Sequence, residues 1–318
     1  MISIDKCEGE LVRLAGRSGV LIASRATLAI YAAMRALQLP AGSEVLMPAN
    51  LCANPAEAVR LAGLKPLFVD ISAETLNIDW EAAEPAVGPR TRVLLAVPIF
   101  GQPLDMPNVL HFAEHHNLTI MEDAAQALGV RHGKQPAGSV GICSVFSFGQ
   151  GKIGDAGGGA ALLSDDMALL ERAQVVLAAM PSASSLQGLH ERIYRSLQAL
   201  PGEIEARTRL AEQYRQRLDM PGVTHPGIAA MPPLWKYSVL LASRHERDAV
   251  TWALLALGVE ATNLYLPLSL FEKSRLKPPG GYTAGWSVYN RIVNLPLWPQ
   301  PAHLLERVLE GINAGLNS

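Results

Sequence analysis

The chain has few cysteines, almost no excess charge and no long apolar run, and each scarcity removes a class of protein. Cys7, Cys52 and Cys143 are the three cysteines, an odd number with no Cys-x-x-Cys pair. Neither a disulfide framework nor a zinc knuckle is supported, and a reducing cytoplasm fits this usage. A net charge of -2 gives no footprint for nucleic acid or for an anionic membrane surface. No apolar stretch approaches the roughly 18 residues that suggest a membrane span. The opening residues MISIDKCEGE have no apolar central region of the signal-peptide kind. No internal repeat or low-complexity segment interrupts the chain. What is abundant is apolar: 49% hydrophobic against 18% charged over 318 residues, enough for a substantial core in one large or two modest domains.

Read in order, the pattern predicts a helix over 5–16 and a second over 26–37 capped by Ser24. Strands at 44–47, 65–69, 93–97 and 118–121 then alternate with helices at 55–61, 80–86 and 106–116. Alternation of this kind argues for parallel βαβ units with both sheet faces covered. After Asp166 helical segments dominate to about Leu218, with breaks expected at 180–185 and at Pro201-Gly202. A strand at 234–242 and helices at 245–257 and 304–316 follow. The expected fold class is α/β. A large, mainly parallel-sheet domain spans 1–200 and a smaller α+β domain spans 201–318, with the first 17 residues packing on one or the other.

The chemistry centres on Cys143 to Asp166, CSVFSFGQGKIGDAGGGAALLSDD. Two apolar runs, 143–148 and 160–163, read as buried strands. Between them lies a glycine-dense loop with one lysine, Lys152. Burial lowers a lysine's pKa and makes its amine a nucleophile able to combine with a carbonyl cofactor; a solvated lysine on a flexible loop is the other reading. Upstream, Glu122 and Asp123 follow a strand end, where ligands gather in parallel α/β sheets. Asp123 either faces a cationic ring nitrogen or caps a following helix AAQAL. Gln126 stands three residues on. A lysine that binds the aldehyde and a carboxylate on the pyridinium nitrogen form the protein set for pyridoxal phosphate. The phosphate needs backbone N–H groups at a helix start and a hydroxyl, which the 24–27 segment offers; Ser147 is a further candidate.

Several ordered blocks resemble one family. VLMPANLCANPAEAVRLAGLKPLFVDISAETLNID (45–79), FGQPLDM (100–106), EDAAQALG (122–129) and SFGQGKIGDAGGGAALLSDD (147–166) are similar, in order, to the DegT/DnrJ/EryC1/StrS sugar aminotransferases. A weaker likeness covers about 210–316, including NLYLPLS and IVNLPLWPQP. The resemblance implies the fold type I architecture of pyridoxal-phosphate enzymes and a homodimer with sites at the subunit interface. It also implies amino transfer, plausibly from glutamate, to a nucleotide-linked keto-sugar or similar carbonyl compound. By position, Lys152 matches the cofactor lysine and Asp123 the carboxylate on the ring nitrogen. Gln126 matches the residue near the ring hydroxyl, and Thr27 and Ser147 match phosphate contacts. Ala26 stands where the family has glycine, Cys52 where it has a ring-stacking aromatic, and Leu264 where it has histidine before the retained Tyr265. No equivalent of the family's Asn-Tyr-Arg segment occurs between Arg172 and Arg207. Lyase chemistry and a non-catalytic binding role are the alternatives this altered pocket leaves open.

Three other motifs carry less. Gly149-Gln150-Gly151-Lys152-Ile153-Gly154 satisfies GxGxxG, but the dinucleotide reading needs a helix next, and DAGGG starts one poorly. The same loop fails as a P-loop because Ile153 occupies the magnesium-binding hydroxyl position. His111-Phe112-Ala113-Glu114-His115 matches an inverted zinc-protease motif, on a helix expected to cover the sheet rather than line a site. Cys143 reads as a buried small hydrophobe, Cys52 as a weak candidate for reactivity, and Lys236 as an exposed residue without a role.

Overall fold

The computed structural model describes residues 4–180, 188–227, 232–268, 282–298 and 303–317. The first part comprises α1 (Ile4–Ala15), β1 (Gly19–Ala23), α2 (Ala26–Ala36), β2 (Glu44–Pro48), α3 (Ala53–Leu61) and β3 (Lys65–Val69). It continues through α4 (Trp80–Ala83), β4 (Thr91–Ala96), α5 (Met106–His115), β5 (Thr119–Asp123), β6 (Arg131–His132), β7 (Gln135–Pro136), β8 (Cys143–Ser147), β9 (Ala160–Ser164) and α6 (Met167–Ala178). The long α7 (Leu189–Arg217) leads into β10 (Val223–Thr224), β11 (Tyr237–Leu241), α8 (Arg244–Ala256), α9 (Thr283–Arg291), β12 (Ile292–Leu295) and α10 (Leu304–Leu316).

Seven strands form one sheet in the order β1-β9-β8-β5-β4-β2-β3. β3, β2, β4, β5 and β8 run parallel, while β9 is antiparallel to both β8 and β1. β2 and β9 are buried at every residue. Their stretches 45–48 and 160–163 therefore read as apolar runs rather than alternating ones, as strands covered on both faces do. The face of α2 that carries Ala29, Ala33 and Met34 is buried, and α2 packs against α3 and α6.

Four local expectations are corrected. β5 runs two residues past Met121, so Glu122 and Asp123 belong to the strand. No helix follows Asp123: residues 124–129 form turns, and its Oδ1 accepts only the near N–H of Ala125 at 3.2 Å, with no helix to cap. Ser24 does not cap α2; the N-cap is Arg25, with no side-chain cap bond. Pro201 does not break the chain's longest helix, because α7 runs through it. Proline inside a helix costs about 3 kcal/mol, but Leu189, Ile193, Leu197 and Leu200 anchor the first half in the sheet's core. Leu210, Ala211 and Tyr214 anchor the second half in another core. Packing at both ends outweighs the local defect. The expected break at 180–185 lies, after Met180, outside the described residues.

The second core sits between the small sheet β10-β11-β12 and helices α8 and α10. Gly315 allows the two helices to approach: a Cβ there would lie 2.4 Å from Val250 Cα. The expected division at about residue 200 falls within α7, and Cys7, Leu11 and Ala15 of α1 join the sheet's core. The later chain returns to the large sheet. Asp70 accepts from the N–H groups of Ala284 (3.0 Å) and Gly285 (2.8 Å). Asn50 Nδ2 donates to the carbonyls of Gly285 (3.0 Å) and Tyr265 (3.2 Å). These bonds place Tyr265 beside the loop that carries Cys52.

Candidate active site

Strand alternation assigns the two carboxylates at the end of β5 to opposite faces. Glu122 is fully buried and consumed structurally. It accepts from His132 Nε2 at 2.9 Å and from the N–H groups of Gly138 (2.9 Å) and Val140 (3.2 Å). His132 Nδ1 accepts from the Leu104 N–H at 3.0 Å, so its proton lies on the nitrogen facing Glu122. Asp123 takes the other face. It is 4% exposed, and burial pushes its carboxyl up to about 6. This is the carboxylate left free for a ligand.

Lys152 comes to the same place from the β8–β9 connection. Burial pushes its amine down to about 8, and the nearby Asp123 carboxyl opposes that shift. The loop keeps its shape through internal bonds: Asp155 accepts from Gly151 N–H (2.6 Å) and Gly157 N–H (2.7 Å). Two of its glycines leave no room for a side chain: a Cβ on Gly154 (φ +71°) would meet Leu128 Cδ2 at 2.6 Å, and one on Gly159 (φ +99°) would meet Leu189 Cδ1 at 2.7 Å. Burial first and Asp123 second raise the Cys52 thiol, which disfavours its thiolate. Cys143 is buried and its thiol is pushed up to about 12 by burial.

Beside the lysine loop is a cavity of about 810 Å³. Ser24, Arg25, Ala26 and Thr27 from the start of α2, Ser147, and the loop glycines at 149 and 157–159 line it. The first N–H groups of α2 are not used by a side-chain cap. Hydroxyls, free helix N–H groups and the arginines Arg25 and Arg192 on the same cavity make a set suited to a phosphate dianion. Sequence reasoning thus named Lys152, Asp123, Gln126, Ser147, Thr27 and Ala26, and the structure gathers them on one edge of the sheet. Gln126 is held there by two bonds: its Oε1 accepts the Phe100 N–H at 2.7 Å, and its Nε2 lies 3.5 Å from Tyr265 Oη.

Aromatic surface near Cys52 comes from elsewhere. The Phe100 ring stacks on Tyr265 at 5.7 Å and 4°, and on Trp235 at 6.3 Å and 26°. Trp235 was not singled out as a site residue; its neighbour Lys236, expected to be exposed, is half-buried. The only sequence hint was the aromatic-lysine pair at a strand's start. Gly101 makes this convergence possible: it holds φ +85°, and a Cβ there would lie 2.9 Å from Trp235 N. Gly101→Ala is therefore expected to lower both the thermal midpoint and cofactor retention, read by a melting curve and by absorbance after dialysis.

Behind the site a buried ion pair joins three segments. Glu203 and Arg207, one turn apart on α7, meet at 2.7 Å. Glu203 Oε2 accepts from Gly154 N–H of the lysine loop at 3.1 Å, and Arg207 Nη1 donates to the Trp235 carbonyl at 3.1 Å. Removing one partner of a buried pair leaves the other charged and unpaired, at a cost of about 3–5 kcal/mol. Arg207→Ala is expected to lower unfolding stability by that order in urea titration, and a loss below about 1 kcal/mol would refute the account.

Among the described residues, His111 of the inverted zinc motif joins no group of three possible metal ligands. His111 and His115 stack at 6.2 Å on α5. The donor set that does gather is Glu84, His115 and His116, within 4.8 Å of one another. It sits where α5 ends and β5 begins, at the opposite end of β5 from Asp123.

A mainly parallel sheet with an enclosed amine and a buried carboxyl at its carboxyl edge, beside a phosphate-suited cup, defines a pyridoxal-phosphate-dependent transferase of fold type I. Comparison with known proteins agrees. Residues 3–193 match the model of the DegT/DnrJ/EryC1/StrS aminotransferase family, and the chain belongs to that family. It is 28% identical to the GDP-perosamine synthase of Caulobacter vibrioides, over 80% of this chain and 74% of that one. It is 29% identical to the dTDP-3-amino-3,4,6-trideoxy-alpha-D-glucose transaminase of Streptomyces venezuelae, over 85% and 76%. The crystal structure of the aminotransferase TlmJ from Streptoalloteichus hindustanus superposes with a TM-score of 0.87 at 25% identity, covering 99% of this chain and 91% of that one.

Proposed function

We propose that this protein transfers an amino group, from glutamate, to the keto group of a nucleotide-linked sugar or a similar carbonyl compound. The observation that carries this is the enclosed Lys152 amine set near the buried Asp123 carboxyl, each perturbing the other. The sugar is supported by the names of the relatives, which make or aminate nucleotide-linked sugars. The family resemblance implies a homodimer with sites at the subunit interface, while the cysteine usage and the net charge of -2 support an enzyme of the cytoplasm with no nucleic-acid or membrane partner.

The residues fit the cofactor. When bound, pyridoxal phosphate supplies an aldehyde for an amine and a ring that draws electrons from the substrate carbon. Lys152 anchors it. The Lys152 Nζ, when free, would hold and hand over the proton exchanged at the substrate carbon. An amine near pKa 8 is matched to that exchange close to neutral pH. Asp123 would hold a proton on the ring nitrogen. Thr27, Ser147, Ala26 and the N–H groups opening α2 would hold the phosphate, and Gln126 would serve the ring hydroxyl.

The test is spectroscopic. Purified protein is expected to be yellow, and glutamate is expected to bleach it. A keto-sugar then restores the colour, and a panel of such sugars identifies the acceptor. Yellow protein that no amino donor bleaches would favour lyase chemistry, and protein colourless after added cofactor would favour a binding role.

A further inference from the structure

Lys152 has a partner that none of its cofactor roles requires. Its Nζ lies 3.7 Å from the centroid of the Trp235 ring, over the indole face. Trp235 is itself buried at 8% exposure. Its Nε1 donates to the Gly151 carbonyl, one residue before Lys152, at 2.7 Å. Its own backbone is held on both sides, with its N–H donating to the Phe100 carbonyl at 2.8 Å and its carbonyl accepting from Arg207 at 3.1 Å. Through Glu203, the same ion pair reaches Gly154 N–H at 3.1 Å. The ring and the lysine loop are thus locked in register on either side of residue 152.

We propose that Trp235 is the positioning residue of the catalytic amine: its indole face is the seat on which the Lys152 ammonium rests whenever the amine is free. This rests on the reading of Lys152 as the cofactor-carrying lysine. The need for such a seat follows from charge. Facing Lys152 are Asp123 from the end of β5, Cys52 from the loop before α3, and Lys236 next to Trp235 itself. Burial and Lys236 oppose the charged amine. Cys52 is held protonated by its raised pKa. Asp123 favours the ammonium, but with cofactor in place its charge is committed to the ring nitrogen. Among the described residues, the Trp235 face is the group that still attracts the cation, and it neither titrates nor competes for the proton. It therefore keeps the ammonium seated over the ring while the amine carries a proton. Lys236 does not fill the seat, since its Nζ is 5.8 Å from the same centroid.

The decisive experiment changes the ring's electrons and not its shape. Tryptophan at 235 is replaced site-specifically by mono-, di- and trifluorinated tryptophan, whose rings attract cations progressively less. Cofactor-free protein is mixed with pyridoxal phosphate across a pH series, and the rate of combination is followed by absorbance. The neutral amine adds to the aldehyde carbon and the aldehyde oxygen leaves as water, so the midpoint of the rate-against-pH curve reports the Lys152 pKa. Borohydride reduction, followed by peptide mapping, verifies attachment at residue 152. The expected result is a midpoint that falls stepwise with fluorination, by roughly one pH unit over the series, at unchanged melting temperature. Trp235→Phe keeps an aromatic face but loses the bond to Gly151; its midpoint is expected to stay within about 0.5 of the parent's. A midpoint constant across the fluorinated series would overturn the proposal while leaving the functional reading intact. Failure to trap cofactor on residue 152 in the parent protein would overturn both.

Discussion

Lys152→Ala is expected to leave a folded protein that binds pyridoxal phosphate only reversibly and transaminates at less than about one thousandth of the parent rate. Two roles vanish together. Proton transfer by a positioned side chain is worth about 10²–10⁴-fold, and the covalent anchor that orients the cofactor is lost as well. Stability moves the other way. The depressed pKa of about 8 means that the folded chain holds this proton less tightly than the unfolded one. The lysine's contribution is therefore complete only above its unfolded pKa and is lost as pH falls through 8, so at pH 7 the charged amine is a liability in the cofactor-free protein. The substitution removes that liability from a loop tied down by other groups, Asp155 and Glu203. The checks are steady-state rates, a thermal melt of cofactor-free protein at pH 7, and the visible band after dialysis. A variant that keeps a tenth of the parent rate, or retains the cofactor's visible band through dialysis, would show that another residue carries the chemistry.

The edge of the sheet that carries the candidate site is readable in the sequence because its signals are local. An apolar strand, a glycine loop with one lysine, and an acid after a second strand are each visible within ten residues. The family blocks then joined them. What local pattern misjudged were the cases where distant packing decides. Pro201 looked like a break, but α7 is pinned in one core by Leu197 and Leu200 and in the other by Leu210 and Tyr214. Asp123 looked like a cap because AAQAL has helical composition, yet the segment turns away to bring Gln126 to Phe100. β1, the short GVLIA run, has no local signature, since its pairing with β9 spans about 140 residues of sequence. Trp235 and the Glu203–Arg207 pair share that fate. Each lies at least about fifty residues from the lysine it supports, and neither the residue types nor their spacing announce the contact. Cys52 shows the complementary case, since its departure from the family was plain in sequence, while the aromatic rings nearby became visible only when Tyr265, Phe100 and Trp235 were brought together.

Asp123→Asn separates function from stability in opposite directions. In the cofactor-free protein the carboxyl is raised from 3.8 to about 6, chiefly by burial. A raised folded pKa means that the folded chain binds the proton more tightly than the unfolded chain. The associated stability is therefore complete below about pH 4 and is lost as pH rises through 6. A gap of about two between the folded and unfolded pKa corresponds to about 3 kcal/mol. Asparagine is neutral at every pH, so the variant without cofactor is expected to unfold later than the parent at pH 7.5 and to lose this part of the slope between pH 4 and 6. Its amide oxygen can still accept the Ala125 N–H that Asp123 accepts at 3.2 Å, which keeps the turn. Activity moves the other way. Asparagine cannot hold a proton on the ring nitrogen by charge, and removing one such preorganised electrostatic partner costs about 10²–10³-fold in kcat. A urea series at several pH values and a single-turnover rate with glutamate measure the two halves. If Asp123 were merely structural, both would fall together. A gain in stability with a loss of rate is the signature of a carboxylate kept buried for its cofactor at the expense of the empty fold.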